Sequence, residues 1–174
     1  MIALPAGLGL HTPITAATTY RYARFEITAN GGNATWLYLW ELAIYVGATK
    51  YPTVTITGDT NPPPYVISSN GYYDASSRPY LVFNNTNTVA QHWTSPLGQT
   101  TGYVQIDFGT GNGIPLPTSF AVTADGTGAS GTNRYPKNYQ LKVSNDPNFI
   151  TGVVSSTAVV NASFGSLTTN THSF

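Results

Sequence analysis

The chain reads as an all-β protein built as an antiparallel sandwich of short strands. Three observations predict this. Apolar side chains recur at every second position in segment after segment, as they do in a strand with one face in a core. Turn-forming Gly, Pro, Asn and Asp interrupt these segments at short intervals. No stretch carries the 3.6-residue apolar stripe of an amphipathic helix. With 174 residues the chain suits one domain with a sizeable core.

Residues 1–19 contain Pro5, Gly7, Gly9 and Pro13, so no helix is expected there. They read either as an extended arm of the kind that lies on a neighbouring subunit, or as a disordered tail. Residues 20–174 form the domain. Ala23, Phe25 and Ile27 alternate with Tyr22, Arg24 and Glu26, which predicts a half-buried strand. Asn30-Gly31-Gly32-Asn33 is a turn. Trp36 to Val46 is apolar with β-branched and aromatic residues, so a strand is expected there. Tyr51 to Thr57, with Val54 and Ile56 between threonines, predicts another. Asp59 to Pro64 is a loop, because consecutive prolines cannot join a ladder.

Tyr65 to Tyr80 is aromatic and irregular, and Leu81 to Phe83 predicts a short strand. Val104, Ile106 and Phe108 mark the next strand, and Phe120, Val122 and Ala124 another. Asp125 to Asn133 is a Gly/Ser/Thr loop. Tyr139, Leu141 and Val143 alternate with Gln140 and Lys142, and Ser144 to Pro147 turns the chain. Val153-Val154 and Ala158 to Val160 are the last expected strands.

Only 8% of the residues are charged and the net charge is zero. Such a surface offers no electrostatic footprint for nucleic acid or an anionic membrane. Thr, Ser, Asn and Gly carry the solubility, a composition that suits secreted proteins and virion parts. The absence of cysteine excludes a disulfide scaffold, a thiolate zinc site and a cysteine nucleophile, and fits folding in a reducing cytoplasm. The N-terminal segment lacks the basic start and unbroken apolar run of a secretory signal. No segment approaches the ~18 consecutive apolar residues of a membrane span. A soluble protein without a signal peptide is expected.

Catalytic chemistry finds little support. Glu26 and Glu41 lie on strands that would be neighbours, so a carboxylate pair is conceivable, although Glu26 facing Arg24-type neighbours on the sheet surface is the better reading. His11, His92 and His172 lack metal-ligand spacing. No Gly-x-Ser-x-Gly elbow is present. Gly109 to Gly113 imitates a phosphate loop, but Ile-Pro-Leu-Pro follows it and no helix can supply a dipole. Asn33, Asn84 and Asn161 open Asn-x-Ser/Thr triplets, which arise by chance in such a composition.

Twelve Tyr and three Trp remain. Sugar rings present C–H faces that stack on aromatic rings while polar groups read the hydroxyls. Tyr72, Tyr73, Arg78, Tyr80, His92, Arg134 and Tyr135 fall in expected loops and together form a candidate contact surface for a glycan or a protein. Trp93 is read as core.

Four ordered motifs carry a family resemblance: Phe83-Asn84-Asn85, Trp93-Thr94-Ser95, Ile106-Asp107-Phe108-Gly109 and Ser144-Asn145-Asp146. Together they resemble the discoidin-type domain, also called the coagulation-factor C-type or galactose-binding-like jelly roll. The match runs from Tyr20 to Phe149. It implies a jelly-roll β-sandwich that acts as an adhesive module and not as an enzyme. Family members hold calcium near the first motif, so Asn84 and Asn85 are the calcium candidates. The family's Asp is Asn84 here, and an amide is a poorer calcium ligand than a carboxylate. Glu41 matches a structural glutamate of the family. The block Tyr20 to Tyr45 resembles strands that close the animal domains, which implies circular permutation.

This arrangement looks like the discoidin-like modules of bacteriophage tail, baseplate and fibre proteins. The resemblance implies a virion structural and adhesive protein made in the bacterial cytoplasm. Its partners would be other virion proteins through the N-terminal arm, further copies of itself and a host-surface glycan. No cofactor beyond calcium, no nucleic acid and no membrane insertion are implied. The alternative is a free carbohydrate-binding module or lectin, calcium-assisted. A glycan-cleaving enzyme ranks last.

Overall fold

The computed structural model describes residues 18–86, 88–127 and 133–174. The arm call therefore falls almost wholly on residues outside the described ones, as does the middle of the loop after Asp125.

Among the described residues, thirteen strands and one 3-10 turn make up the fold. In chain order the strands are β1 Thr19–Tyr20, β2 Tyr22–Asn30, β3 Tyr38–Leu39, β4 Glu41–Val46, β5 Thr49–Tyr51, β6 Val66–Ser69, β7 Trp93–Thr94, β8 Gly102–Asp107, β9 Ile114–Pro115, β10 Ser119–Ala124, β11 Pro136–Ser144, β12 Val154–Ser155 and β13 Thr168–Ser173. A five-stranded sheet runs β12-β11-β2-β8-β6 and a four-stranded sheet runs β13-β10-β4-β5. Every pairing is antiparallel, including the short ladders β1-β9 and β3-β7. The all-β, sandwich-like architecture expected from alternation is what the chain adopts.

The two sheets meet through side chains of alternating strands. Ala23, Phe25 and Ile27 of β2 are buried, as are Val104 and Ile106 of β8, Leu141 and Val143 of β11, and Phe120 and Val122 of β10. Phe25 lies 6.3 Å from Phe120 and 5.1 Å from Tyr139, and Phe120 lies 6.4 Å from Tyr139, measured between ring centroids. These three rings span the sheets, and Phe120 meets both of the others edge-on, the arrangement the ring quadrupole favours. No helix among the described residues is long and apolar enough to cross a membrane.

Several local expectations are corrected; Ala158 to Val160, for one, is no strand and meets β11 only through the single bridge from Val159 to Tyr139. The strand expected over Tyr51 to Thr57 stops at Tyr51, where Pro52 has no N–H to continue the ladder. Ile56 is still buried, but as a loop residue. Leu81 to Phe83 is not a strand; it belongs to the 3-10 turn Pro79–Phe83, whose Pro at the first turn presets the backbone. The C-terminal strand β13 was not expected, because Thr168 to Ser173 contains no apolar residue. Its inward side chains are Asn170 and His172, and it pairs with β10 along its whole length.

Candidate functional site

β3 and β7 build the site. Their ladder sets Tyr38 opposite Thr94 and Leu39 opposite Trp93. Trp93 is fully buried, as expected, and its Nε1–H donates to the Gly71 carbonyl at 2.9 Å. The Tyr73 N–H donates to the Thr94 carbonyl at 3.1 Å. These two bonds hold the loop after Ser69 against β7. They carry the Tyr73 ring to Trp36, with centroids 4.5 Å apart and planes at 84°.

From there an aromatic row continues. Trp36 is 6.5 Å from Tyr38, and Tyr38 is 5.7 Å from Trp40 and 4.4 Å from His92. His92 also lies 4.8 Å from Trp40. Arg134 closes the row: its Nη1–H donates to the Tyr38 hydroxyl at 2.6 Å and its guanidinium sits 4.8 Å from the Tyr38 ring centre. The Tyr38 N–H donates to the Arg134 carbonyl at 2.8 Å, so backbone pairing places the guanidinium there. Trp40 Nε1 and Arg134 Nε are buried without a hydrogen-bond partner among the described residues. Burial, with the Arg134 charge adding to it, holds His92 below the ordinary histidine range. His92 is therefore neutral at pH 7, a flat ring facing Tyr38. Tyr73 is 53% exposed, and Trp36, Tyr38, His92 and Arg134 are half-buried. The row thus has an open end at Tyr73 and a closed end at Trp40.

A second cluster lies on the same loop. Arg78 Nε donates to Asp59 Oδ2 at 2.9 Å, a second guanidinium nitrogen contacts the same oxygen, and the Tyr80 N–H donates to Oδ1 at 3.3 Å. The guanidinium is 5.0 Å from the Tyr72 ring centre. Tyr72 and Tyr73 thus diverge, one toward Arg78 and one toward Trp36. Asp74 pins the loop between them and Arg78 by accepting from the Ser76 N–H and the Ser76 and Ser77 hydroxyls.

Of the seven residues expected at the contact surface, Tyr73, His92 and Arg134 join one row, while Tyr72, Arg78 and Tyr80 group round Asp59. Tyr135 joins neither. Its ring packs on Phe164 at 5.6 Å and against the backbone of Gly31, where an added Cβ would come within 2.7 Å of it. Trp36 and Tyr38 were read only as strand residues. Their signal was Trp36, Tyr38 and Trp40 at alternate positions, which puts three rings on one side of an extended chain.

Asn84 and Asn85 are engaged in local structure. Asn84 Oδ1 accepts from the Thr86 N–H at 2.8 Å and its Nδ2 donates to Gln91 Oε1 at 2.7 Å. Asn85, in the left-handed region with φ 58°, donates its N–H to Glu41 Oε1 at 3.1 Å and accepts from the Lys50 ammonium. Lys50 Nζ is also 3.6 Å from Glu41 Oε1. A fixed ammonium thus stands between the oxygens that calcium would need, and the donor set does not suit that ion. Among the described residues no three of His, Cys, Asp and Glu converge as a metal site.

The conceivable Glu26–Glu41 pair is corrected. Glu26 is on β2 of the five-stranded sheet and contacts the Lys142 ammonium, whereas Glu41 is on β4 of the other sheet. Each points away from the core that separates the sheets, so they cannot flank one bond. Glu41 is nevertheless unusual. Burial raises its pKa to about 7 despite Lys50 and the Asn85 N–H, and its Oε2 has no partner among the described residues. His172 sits on β13 with its Nε2 2.7 Å from the Tyr139 hydroxyl.

No family model, curated protein or solved structure matches this chain.

Proposed function

We propose that this protein is a structural and adhesive component of a virus particle, a discoidin-like jelly roll of a phage tail, fibre, baseplate or capsid decoration. Its adhesive surface is the aromatic row, and its ligand is a host-surface glycan. The observation that carries the adhesive part is the run Tyr73–Trp36–Tyr38–His92, with Arg134 bonded to its central ring. An exposed ring at the open end stacks on the apolar face of a sugar, and the Tyr72–Arg78–Asp59 cluster beside it supplies donors and acceptors for hydroxyls. The particle part is supported by composition and by the four motifs: 8% charged residues, no cysteine and the opening Tyr20 to Phe25.

A glycan array probed with and without chelator tests the adhesive reading. Bacterial surface polysaccharide should bind equally in both arms, and Tyr73→Ala should weaken binding on the order of tenfold or more without lowering the melting temperature. Absence of binding to every glycan sinks it. Mass spectrometry of purified particles tests the virion reading. A chain that binds glycan but is never recovered with particles is a free lectin, the second reading, which the aromatic row favours as strongly.

A further inference from the structure

We propose that the outer edge of β13 is a self-association surface, on which a second copy of this chain adds its own β13 antiparallel across a two-fold axis. The inference is independent of the adhesive reading, and it uses a part of the fold remote in sequence from residues 1–19.

The phase of the β10-β13 ladder fixes which backbone groups are free. The Phe174 N–H donates to the Thr118 carbonyl at 3.0 Å, so at this register position the β13 side faces β10, while the Thr118 N–H turns to the Tyr45 carbonyl at 2.8 Å. Along an antiparallel strand, residues whose backbone groups face the partner alternate with residues whose groups face away. Phe120/His172 and Val122/Asn170 therefore bond to each other, and Thr169, Thr171 and Ser173 aim their N–H and C=O groups away from β10. No backbone partner meets those groups among the described residues.

Unpaired strand edges recruit other strands unless something blocks them. The other three edges of the two sheets are blunted. β12 has two residues. β5 has three, carries Lys50 and ends at Pro52. β6 is met from outside, where the Ile67 N–H donates to the Asp59 carbonyl at 2.6 Å. β13 has six residues, with no charge, no proline and an unbroken register with β10. Of the four edges of the two larger sheets, it is the one left open among the described residues.

The occupant follows from chemistry and symmetry. A two-fold pairing places each residue opposite its own kind or a close relative, so a charged edge repels its copy. An edge of Thr, Asn, His and Ser does not. Centred on Thr171, the pairing sets Thr171 against Thr171 and Thr169 against Ser173, and it satisfies about six outward groups on each copy. The product is a continuous sheet in which the two four-stranded sheets join.

Light scattering on the full chain across a concentration series tests this, with a two-fold dimer as the expected species. Amide exchange of the unmodified protein should show concentration-dependent protection at Thr169, Thr171 and Ser173, and none at Asn170 and His172. Two charge variants then locate the contact. Thr169→Lys/Thr171→Lys/Ser173→Lys and the corresponding triple Glu variant should each be monomeric, with dimer affinity down on the order of tenfold or more. Mixing the two should restore a heterodimer. A monomer at high concentration, a dimer that survives in either variant, or exchange at Thr171 that ignores concentration would overturn the proposal.

Discussion

The Tyr139 hydroxyl meets His172 Nε2 at 2.7 Å, and this contact ties the last strand of one sheet to an inner strand of the other. Tyr139 is on β11 and His172 on β13, so the bond crosses the sandwich beside Phe120, whose ring is 5.3 Å from the imidazole. A histidine suits the position because its flat ring packs on Phe120 while its nitrogen meets the phenol.

Acid should weaken this arrangement. Burial lowers the pKa of His172 below its ordinary 6.5, and the same holds for His92. The unfolded chain then binds protons more readily than the fold, so stability is lost as pH falls below about 6.5. Between pH 7 and pH 5 the melting temperature of His172→Gln should fall less, or rise more, than that of the unaltered protein, the opposing Glu41 contribution being present in both. An unchanged slope in that variant would remove His172 as a cause.

Glu41 acts in the opposite sense. Its pKa is raised to about 7 by burial, which outweighs the Lys50 ammonium 3.6 Å away. Both states are protonated at low pH, and the folded state pays for ionisation as pH rises from 4.5 toward 7. Glu41→Gln keeps an acceptor for the Asn85 N–H and removes the charge. It should stabilise the protein by about 1–3 kcal/mol at pH 7.5 and leave it unchanged near pH 4, as read from denaturant melts at both.

Gly126 has no room for a side chain. A Cβ there would come within 1.9 Å of the Phe164 carbonyl oxygen, which belongs to a rigid backbone. The Gly126 N–H also donates to the Gly165 carbonyl at 2.9 Å. Gly126→Ala must therefore push apart the end of β10 and the segment before β13. A loss of about 2–4 kcal/mol is expected, and a thermal melt that stays in place would refute it.

Asp146 organises the turn after β11. Its carboxylate accepts from the N–H groups of Asn148, Ile150 and Thr151, which holds its pKa below the usual range. A depressed carboxylate contributes stability above its unfolded value of 3.8 and loses it as pH falls through the folded one. Asp146→Ala should lower the melting temperature at pH 7 and remove part of the loss seen below pH 4. Asp146→Asn, which keeps one acceptor, should fall between the two.

The strands that bury one face were legible from residue order. Phe25 in β2, Val104 in β8, Val122 in β10 and Leu141 in β11 each announce themselves through neighbours two positions away, because an extended backbone turns alternate side chains to opposite sides. The neutral, cysteine-free surface was equally plain. β13 gave no such notice: its face toward the core is Asn170 and His172, and only pairing with β10 makes it a strand. The split of Tyr72 from Tyr73, the meeting of Trp36 with Tyr73 and the ammonium of Lys50 over Asn85 were hidden for a related reason. The meetings of Trp36 with Tyr73 and of Lys50 with Asn85 join residues far apart along the chain, and the loop that parts Tyr72 from Tyr73 has no periodic pattern. Periodicity is a property of one strand, whereas a site depends on which strands and loops come to lie side by side.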